Sequence, residues 1–322
     1  CTRHNYQRFG YRLYRVHDFT IDRNQPVWNV AAKLPISRRR FIKTGLIFVP
    51  TVFSEGLHGS VHLAALEPEV YNWMGRVVTN AGHYTSLSVV ANDIGMKMAR
   101  PLRSSLLRWN TYTGGDLLAC LCPLINDKGS TADTNSNFVS GDYTQATGLT
   151  GNLTTKRLST GFLVKTGWAS NDNASVGVYI RTKSTGGAPT PLGAHDDSNA
   201  NGITMYVTLG GSSYVYMNAD ASPVSFVDAV GTGHYVGTRT AANLLTFYRN
   251  GVSVGTNAAA SGTISNAGIA MPIHASYTGV GYTGYVDSAI AGYHIGTGFT
   301  AAQASLFYQV NQRINTILGR QV

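Results

Sequence analysis

Residues 235–256, YVGTRTAANLLTFYRNGVSVGT, restrict the fold more than any other stretch of this chain. Two short runs of β-branched and apolar residues flank Asn250-Gly251, and Asn-Gly is the pair that most readily takes the positive φ angles of a two-residue hairpin. The spacing predicts antiparallel β structure. The same texture recurs at 117–123, 143–146, 157–164, 174–180, 191–195, 202–208, 213–217, 271–275 and 284–294, with clusters of Gly, Asn, Asp or Ser between most of the runs. Counting the three runs at 233–239, 244–249 and 252–256, a dozen short strands fill about 200 residues, as in a double-sheet sandwich or jelly roll. No βα alternation is present, which argues against a doubly wound or barrel fold.

Composition enters through charge. The 322 residues include 36 glycines and 18 tyrosines, but only 13% are charged, which suits turn-rich antiparallel sheets with a wetted face. The net charge of +9 points toward nucleic acid until its distribution is read. Residues 1–45 hold ten basic residues against Asp18 and Asp22, leaving fifteen basic and fourteen acidic groups in the remainder. A phosphate-binding groove needs its positive charge on the folded body, so no nucleic-acid partner is expected.

The basic excess has its own explanation. Ser37-Arg38-Arg39-Arg40-Phe41-Ile42-Lys43 precedes an apolar run at 44–53, too short at about ten residues to span a bilayer as a helix. A basic block before a short apolar block is the layout of an export segment. This one resembles the bacterial twin-arginine motif, which a receptor reads and which is not an anchor; a solvated basic helix with a buried 46–53 segment is the alternative. The expected location is exported, periplasmic or at a surface, with no stable transmembrane anchor. Cys120 and Cys122 read as small buried hydrophobes, since a Cys-x-Cys pair alone lacks the four ligands of a structural zinc site.

Between leader and sheets, residues 69–78 place Val70, Trp73, Met74 and Val77 at helical spacing. A second helix is predicted from Ser86 or Ser88 to Arg100, with Leu87, Val90, Ile94 and Met98 on one stripe and Pro101 closing it. Residues 102–109 add a turn or a short third helix. These stripes are expected to pack together or onto the edge of the β region. Residues 300–318 form a closing amphipathic helix with Thr300 near its cap. The chain thus divides into a leader with its export-like segment (1–65), a small helical region (66–114) and a β-sandwich (115–322).

Residues 233–256 with Arg239, Thr240 and Asn250-Gly251, the run Ile290-Ala291-Gly292-Tyr293-His294-Ile295-Gly296 and the start Thr300-Ala301-Ala302-Gln303 of the closing helix resemble the concanavalin A-like, laminin-G-like jelly rolls of bacterial and phage surface proteins. Residues 135–161 share the resemblance, which covers roughly 115–322. It implies an all-β sandwich. It implies no single function, because that sandwich hosts lectins, glycoside hydrolases, adhesion modules and purely structural domains.

Catalytic chemistry finds little footing in the sequence. Hydrolases of the resembled family present acidic residues a couple of positions apart on one strand, whereas this chain has no glutamate after Glu69. Asp142, Asp228, Asp287 and the pair Asp196-Asp197 remain, and a glycosidase needs two carboxyl groups facing each other across a sugar bond. Asp196, Asp197, Asn199 and Asn201 offer oxygens for calcium in a short loop, without full calcium-loop spacing or a bidentate glutamate; a solvated turn is the competing reading, and no other cofactor is implied. His195, His234, His274 and His294 read as satisfied core or face residues. Tyrosines are the better thread: Tyr206, Tyr214 and Tyr216 alternate through one predicted hairpin, and Tyr277, Tyr282 and Tyr285 lie among glycines. Such rings stack on sugars while their hydroxyls stay wet, though they also serve as cross-strand partners. The resulting expectation is a non-catalytic surface-binding or adhesion module with a glycan or cell-surface polymer as ligand, ligand contacts being Tyr206, Tyr214, Tyr216, Tyr282 and Tyr285. A structural surface or virion module and a polysaccharide hydrolase or lyase are the alternatives.

Overall fold

The computed structural model describes residues 66–195, 201–219, 222–262 and 268–322. The leader and its twin-arginine-like segment lie outside the described residues, as do Asp196, Asp197 and Asn199.

In chain order, helices α1 (Pro68–Thr79) and α2 (Ser86–Ala99) lead through a 3-10 segment (Arg100–Ser105) into strand β1 (Leu106–Asn110) and the one-turn helix α3 (Leu117–Cys120). Four short strands follow: β2 (Ile125–Asn126), β3 (Thr134–Ser136), β4 (Tyr143–Thr144) and β5 (Gly148–Thr150). Longer strands come next, β6 (Arg157–Leu163), β7 (Ala174–Ile180), β8 (Leu192–His195), β9 (Gly202–Leu209), β10 (Ser212–Met217) and β11 (Val224–Val227). The remainder are β12 (Gly233–Ala241), β13 (Leu244–Arg249), β14 (Val252–Asn257), β15 (Ala270–Ile273), β16 (Ser276–Tyr277), β17 (Tyr282–Thr283) and β18 (Ala289–Gly296), closed by helix α4 (Ala301–Ile317).

These strands make a sandwich of jelly-roll type. Sheet A runs β14-β13-β12-β7-β18-β1-β2, with β5 joined to β18 and β4 to β5; sheet B runs β11-β10-β9-β8-β15-β6-β3, with β16 on β8 and β17 on β16. Between them lies a core to which sheet A contributes Val176, Val178, Ile180, Phe247, Ile290 and Ile295, and sheet B Leu158, Phe162, Ile203, Met205, Val215 and Met271. Burying such side chains is the main favourable term in folding.

The predicted hairpin forms as the sequence requires. Arg249 faces Val252 across the turn, and Asn250 and Gly251 hold φ of 51° and 76°, the left-handed values of a two-residue turn. Gly251 is constrained further, since a Cβ there would come within 2.9 Å of Ser305 Cα in α4. Thr300 caps α4 by a reciprocal box: its side chain accepts from the Gln303 backbone amide while Gln303 Oε1 accepts from the Thr300 amide at 2.8 Å.

The helices lie on the outer face of sheet A. Trp109, Val236 and Tyr248 from that face join Val70, Trp73, Phe299, Phe307, Val310 and Ile314 in a second apolar cluster. Three expectations change here. First, Leu87 and Val90 of the predicted α2 stripe are exposed and Ile94 and Met98 only half-buried, whereas the helix buries Ser88, Ala91, Asn92, Gly95, Met96 and Ala99. The cause is close approach: a Cβ on Gly95 would sit 2.5 Å from Ile314 Cδ1, and Asn92 Oδ1 accepts a 2.9 Å bond from Thr111. Second, the turn or short helix expected over 102–109 forms only as far as Ser105, in the 3-10 segment, and Leu106–Asn110 is strand β1, which pairs with both β18 and β2. Third, residues 117–120 are helical, not extended, because Asp116 accepts the Ala119 amide at 2.8 Å and caps the turn.

Two buried arginines tie distant segments together. Arg108 donates to Asp133 at 2.7 Å and to the Tyr293 hydroxyl at 2.7 Å. Arg320 donates to the carbonyls of Thr111, Tyr112, Gln145 and Ala291 and to Asn315 Oδ1; burial pulls its guanidinium down to about 10.

Candidate functional site

The outer face of sheet B carries the tyrosines. Along β9 and β10, Ile203, Met205, Val207, Val215 and Met217 turn into the core, so period-two alternation sends Tyr206, Tyr214 and Tyr216 to the other side, where each is half-buried. Tyr214 lies opposite Tyr206, and Tyr216 opposite Thr204. The diagonal pair Tyr206 and Tyr216 meets edge-on with ring centroids 6.0 Å apart, a favourable geometry for the aromatic quadrupole. Ser225 of β11 faces Tyr214 from one side, and Gly193 of β8 faces Thr204 from the other. Ser225 is exposed beside the rings, whereas Thr204 and Gly193 are buried, the latter under Ser276 and Thr190.

A second aromatic group is built by β16, β17 and the start of β6. Tyr277 pairs with Tyr282, ring centroids 5.0 Å apart. The Arg157 guanidinium lies 3.7 Å from the centre of the Tyr282 ring. Leu158, Thr160 and Phe162 are the buried residues of β6, so Arg157 is on its outward set. From β10 to β6 the sheet order crosses four strand spacings, about 19 Å. Of the five tyrosines expected as ligand contacts, three meet on β9 and β10 and Tyr282 joins the second group. Tyr285 is half-buried beside Gly186, and among the described residues no ring contact links it to the other four. Sequence reasoning passed over Arg157; the available signal was its outward place in an alternating strand.

The carboxylates are dispersed and locally engaged. Asp142 accepts the Val139 amide and pairs with Lys156 at 2.5 Å. Asp287 accepts from Ser184 and from the amide and hydroxyl of Thr185. Asp228 is buried, which opposes ionisation, yet bonds from Tyr235, the Gly231 amide and Ser213 outweigh burial and hold its carboxyl below the usual range. Asn201, the one calcium candidate within the described residues, is half-buried. Among the described residues no group of three or more His, Cys, Asp or Glu side chains is placed to hold a metal ion.

Contrary to expectation, His234, His274 and His294 are buried with ring nitrogens that lack a partner. His274 and His294 have no hydrogen-bond partner for either ring nitrogen, and His234 has none for Nδ1. Burial pulls His234 and His274 down to about 3 and His294 well below its ordinary value. Their surroundings are aromatic: His294 stacks on Phe299 at 5.1 Å and meets Phe307 at 4.7 Å. Cys120 and Cys122 are buried and unpaired, as expected. No helix among the described residues is long and apolar enough to cross a membrane.

No family's sequence model matches this chain, and no curated protein matches it. Among solved structures it is similar to the NanB sialidase of Streptococcus pneumoniae, at 13% identity and a TM-score of 0.36 over 42% of this chain and 24% of that one. It is similar also to the CBM40 of the Ruminococcus gnavus IT-sialidase, at 12% identity and a TM-score of 0.36 over 46% of this chain and 91% of that one. The binding domain of botulinum neurotoxin serotype D matches at 10% identity and a TM-score of 0.35 over 48% of this chain and 40% of that one. The chain thus spans about a quarter of the sialidase it matches.

Proposed function

We propose that this chain is a non-catalytic binding or adhesion module that takes a glycan on the outer face of sheet B. The observation that carries the reading is the meeting of Tyr206, Tyr214 and Tyr216 on one half-buried sheet face bordered by the exposed Ser225. Apolar ring faces suit the C–H faces of a sugar, and neighbouring hydroxyls suit its polar edge. Local engagement of Asp142, Asp228 and Asp287 by separate partners supports binding over hydrolysis. The twin-arginine-like segment at 37–53 supports an exported or surface setting. A structural surface module is the second reading, favoured by the edge contact of Tyr206 with Tyr216, which a sheet can use for its own cohesion.

Binding to an array of bacterial and host oligosaccharides is the test. The intact protein is expected to bind at least one glycan, with affinity falling tenfold or more in Tyr214→Ala and Tyr216→Ala while the fold is retained. An intact protein that binds no glycan, or binding indifferent to both substitutions, would sink the reading in favour of the structural one.

A further inference from the structure

Arg157 is set up differently from the other cations around it. Its neighbour Lys156 is paired with Asp142, and Arg103 and Arg108 are bound to carboxylates as well. Among the described residues no carboxylate lies within ion-pair distance of Arg157; its contact is the Tyr282 ring, 3.7 Å below the guanidinium carbon. Tyr277 supports that ring from the paired strand. An arginine held over an aromatic face keeps its in-plane N–H edges available, and those edges match the two oxygens of a carboxylate in a fork. The adjacent carboxylate, Asp142, is committed to Lys156, so among the described residues the charge of Arg157 is left without a paired carboxylate.

We propose that Arg157, seated on Tyr282, is the subsite for the carboxylate of an acidic saccharide bound on the outer face of sheet B. The assignment rests on the glycan-binding reading of that face and adds the chemical class of its ligand: a sugar chain carrying a carboxylate some four strands from the Tyr206–Tyr216 pair.

The experiment measures affinity for matched sets of oligosaccharides, each in neutral, carboxylated and sulfated form, with oligogalacturonate and its carboxyl-reduced counterpart as one set, at physiological salt. The carboxylated member of a bound set is expected to bind at least tenfold tighter than the neutral and sulfated members. Arg157→Gln should erase that preference while leaving affinity for the neutral form within twofold. Arg157→Lys, which keeps the charge and loses the fork, should recover less than half of the preference in logarithmic terms. Equal affinity for neutral and carboxylated forms, a preference that survives Arg157→Gln, full recovery in Arg157→Lys, or a sulfated form that binds as tightly overturns the assignment. Neutral glycans that bind through the tyrosines with no carboxylate preference overturn this subsite alone, whereas failure of every glycan to bind overturns the face as a whole.

Discussion

Sheets A and B are built from the same kind of strand and differ in what meets their outer faces. In sheet A, every residue of β7 and of β18 is buried, on both faces, because the core lies on one side and the helices on the other. In sheet B, β10 alternates strictly between half-buried and buried positions. A strand enclosed on both faces reads as an unbroken small or apolar run, ASVGVYI or AIAGYHIG, and a strand with one wetted face as an alternation, SSYVYM. The polar-aromatic pattern of β10 is thus what a strand shows where, among the described residues, no helix covers its outer side, and that freedom makes this part of the face the candidate for binding.

The comparison breaks hardest under acid. His234 and His294 lie on the helix-covered side of sheet A with ring centroids 6.2 Å apart, against Phe299 and Phe307, and His274 is buried against Phe138. Each imidazole is neutral in the folded protein, whereas in the unfolded chain it takes a proton near pH 6.5. Between pH 6.5 and about 3 the unfolded state therefore binds more protons, and stability falls as pH falls. The slope is roughly 1.4 kcal/mol per pH unit for each group, or roughly 5–6 kcal/mol for His234 and His274 together by pH 4.5, and the lowered His294 adds to the loss in the same direction. Urea-unfolding free energies measured from pH 7 to 4.5 should show this loss, with a shallower slope in His294→Phe. A flat profile would mean that these rings have partners in solution and that the layer over sheet A is looser than drawn.

Next in size is the packing of that layer. Phe307 meets Trp109 at 5.3 Å, His294 at 4.7 Å and Phe299 at 5.4 Å, and is fully buried. Phe307→Ala should cost about 3–5 kcal/mol, the range for emptying a packed aromatic site, read as a shift in the denaturation midpoint. A loss below about 1 kcal/mol would show that α4 is an attachment whose removal the sandwich barely registers.

Legibility followed locality. Residues 174–180 and 244–249 are bounded correctly because their apolar and β-branched runs end at polar turn residues next to them in sequence, and the Thr300 to Gln303 box announces α4 from four residues. Strand β1 was missed because Leu106–Asn110 contains an arginine whose burial makes sense only with Asp133 and Tyr293 beside it, the latter 185 positions away. The inverted face of α2 failed for a related reason: hydrophobicity favours Leu87 and Val90, but the neighbour across the interface selects small side chains, and no local pattern records how closely Ile314 approaches Gly95. Strand β11 was passed over because its four residues, VSFV, show too little alternation to count. At the candidate site, Tyr206, Tyr214 and Tyr216 alternate with buried residues along β9 and β10, a pattern local to one hairpin. Pairing of Arg157 with Tyr282 depends on the chain doubling back so that β16 runs parallel to β8 while β15 runs antiparallel to it, which composition does not reveal.

The smallest effect is the most discriminating, because it separates a binding face from a structural one. Tyr216 lies half-buried on the outer face of β10, with the Tyr206 ring against its edge. Thr at this position keeps the β preference of the strand and removes the ring, so Tyr216→Thr should cost only about 0.5–1 kcal/mol, the worth of one cross-strand aromatic contact. Binding to the glycan identified on the array should meanwhile fall tenfold or more. Thermal unfolding and titration of the same sample give both numbers. A stability loss comparable with that of Phe307→Ala would make Tyr216 a core residue and the two outer faces energetically alike, removing the ground for treating sheet B as the side that meets a ligand; a small loss with unchanged glycan affinity would leave the tyrosines as ordinary sheet partners.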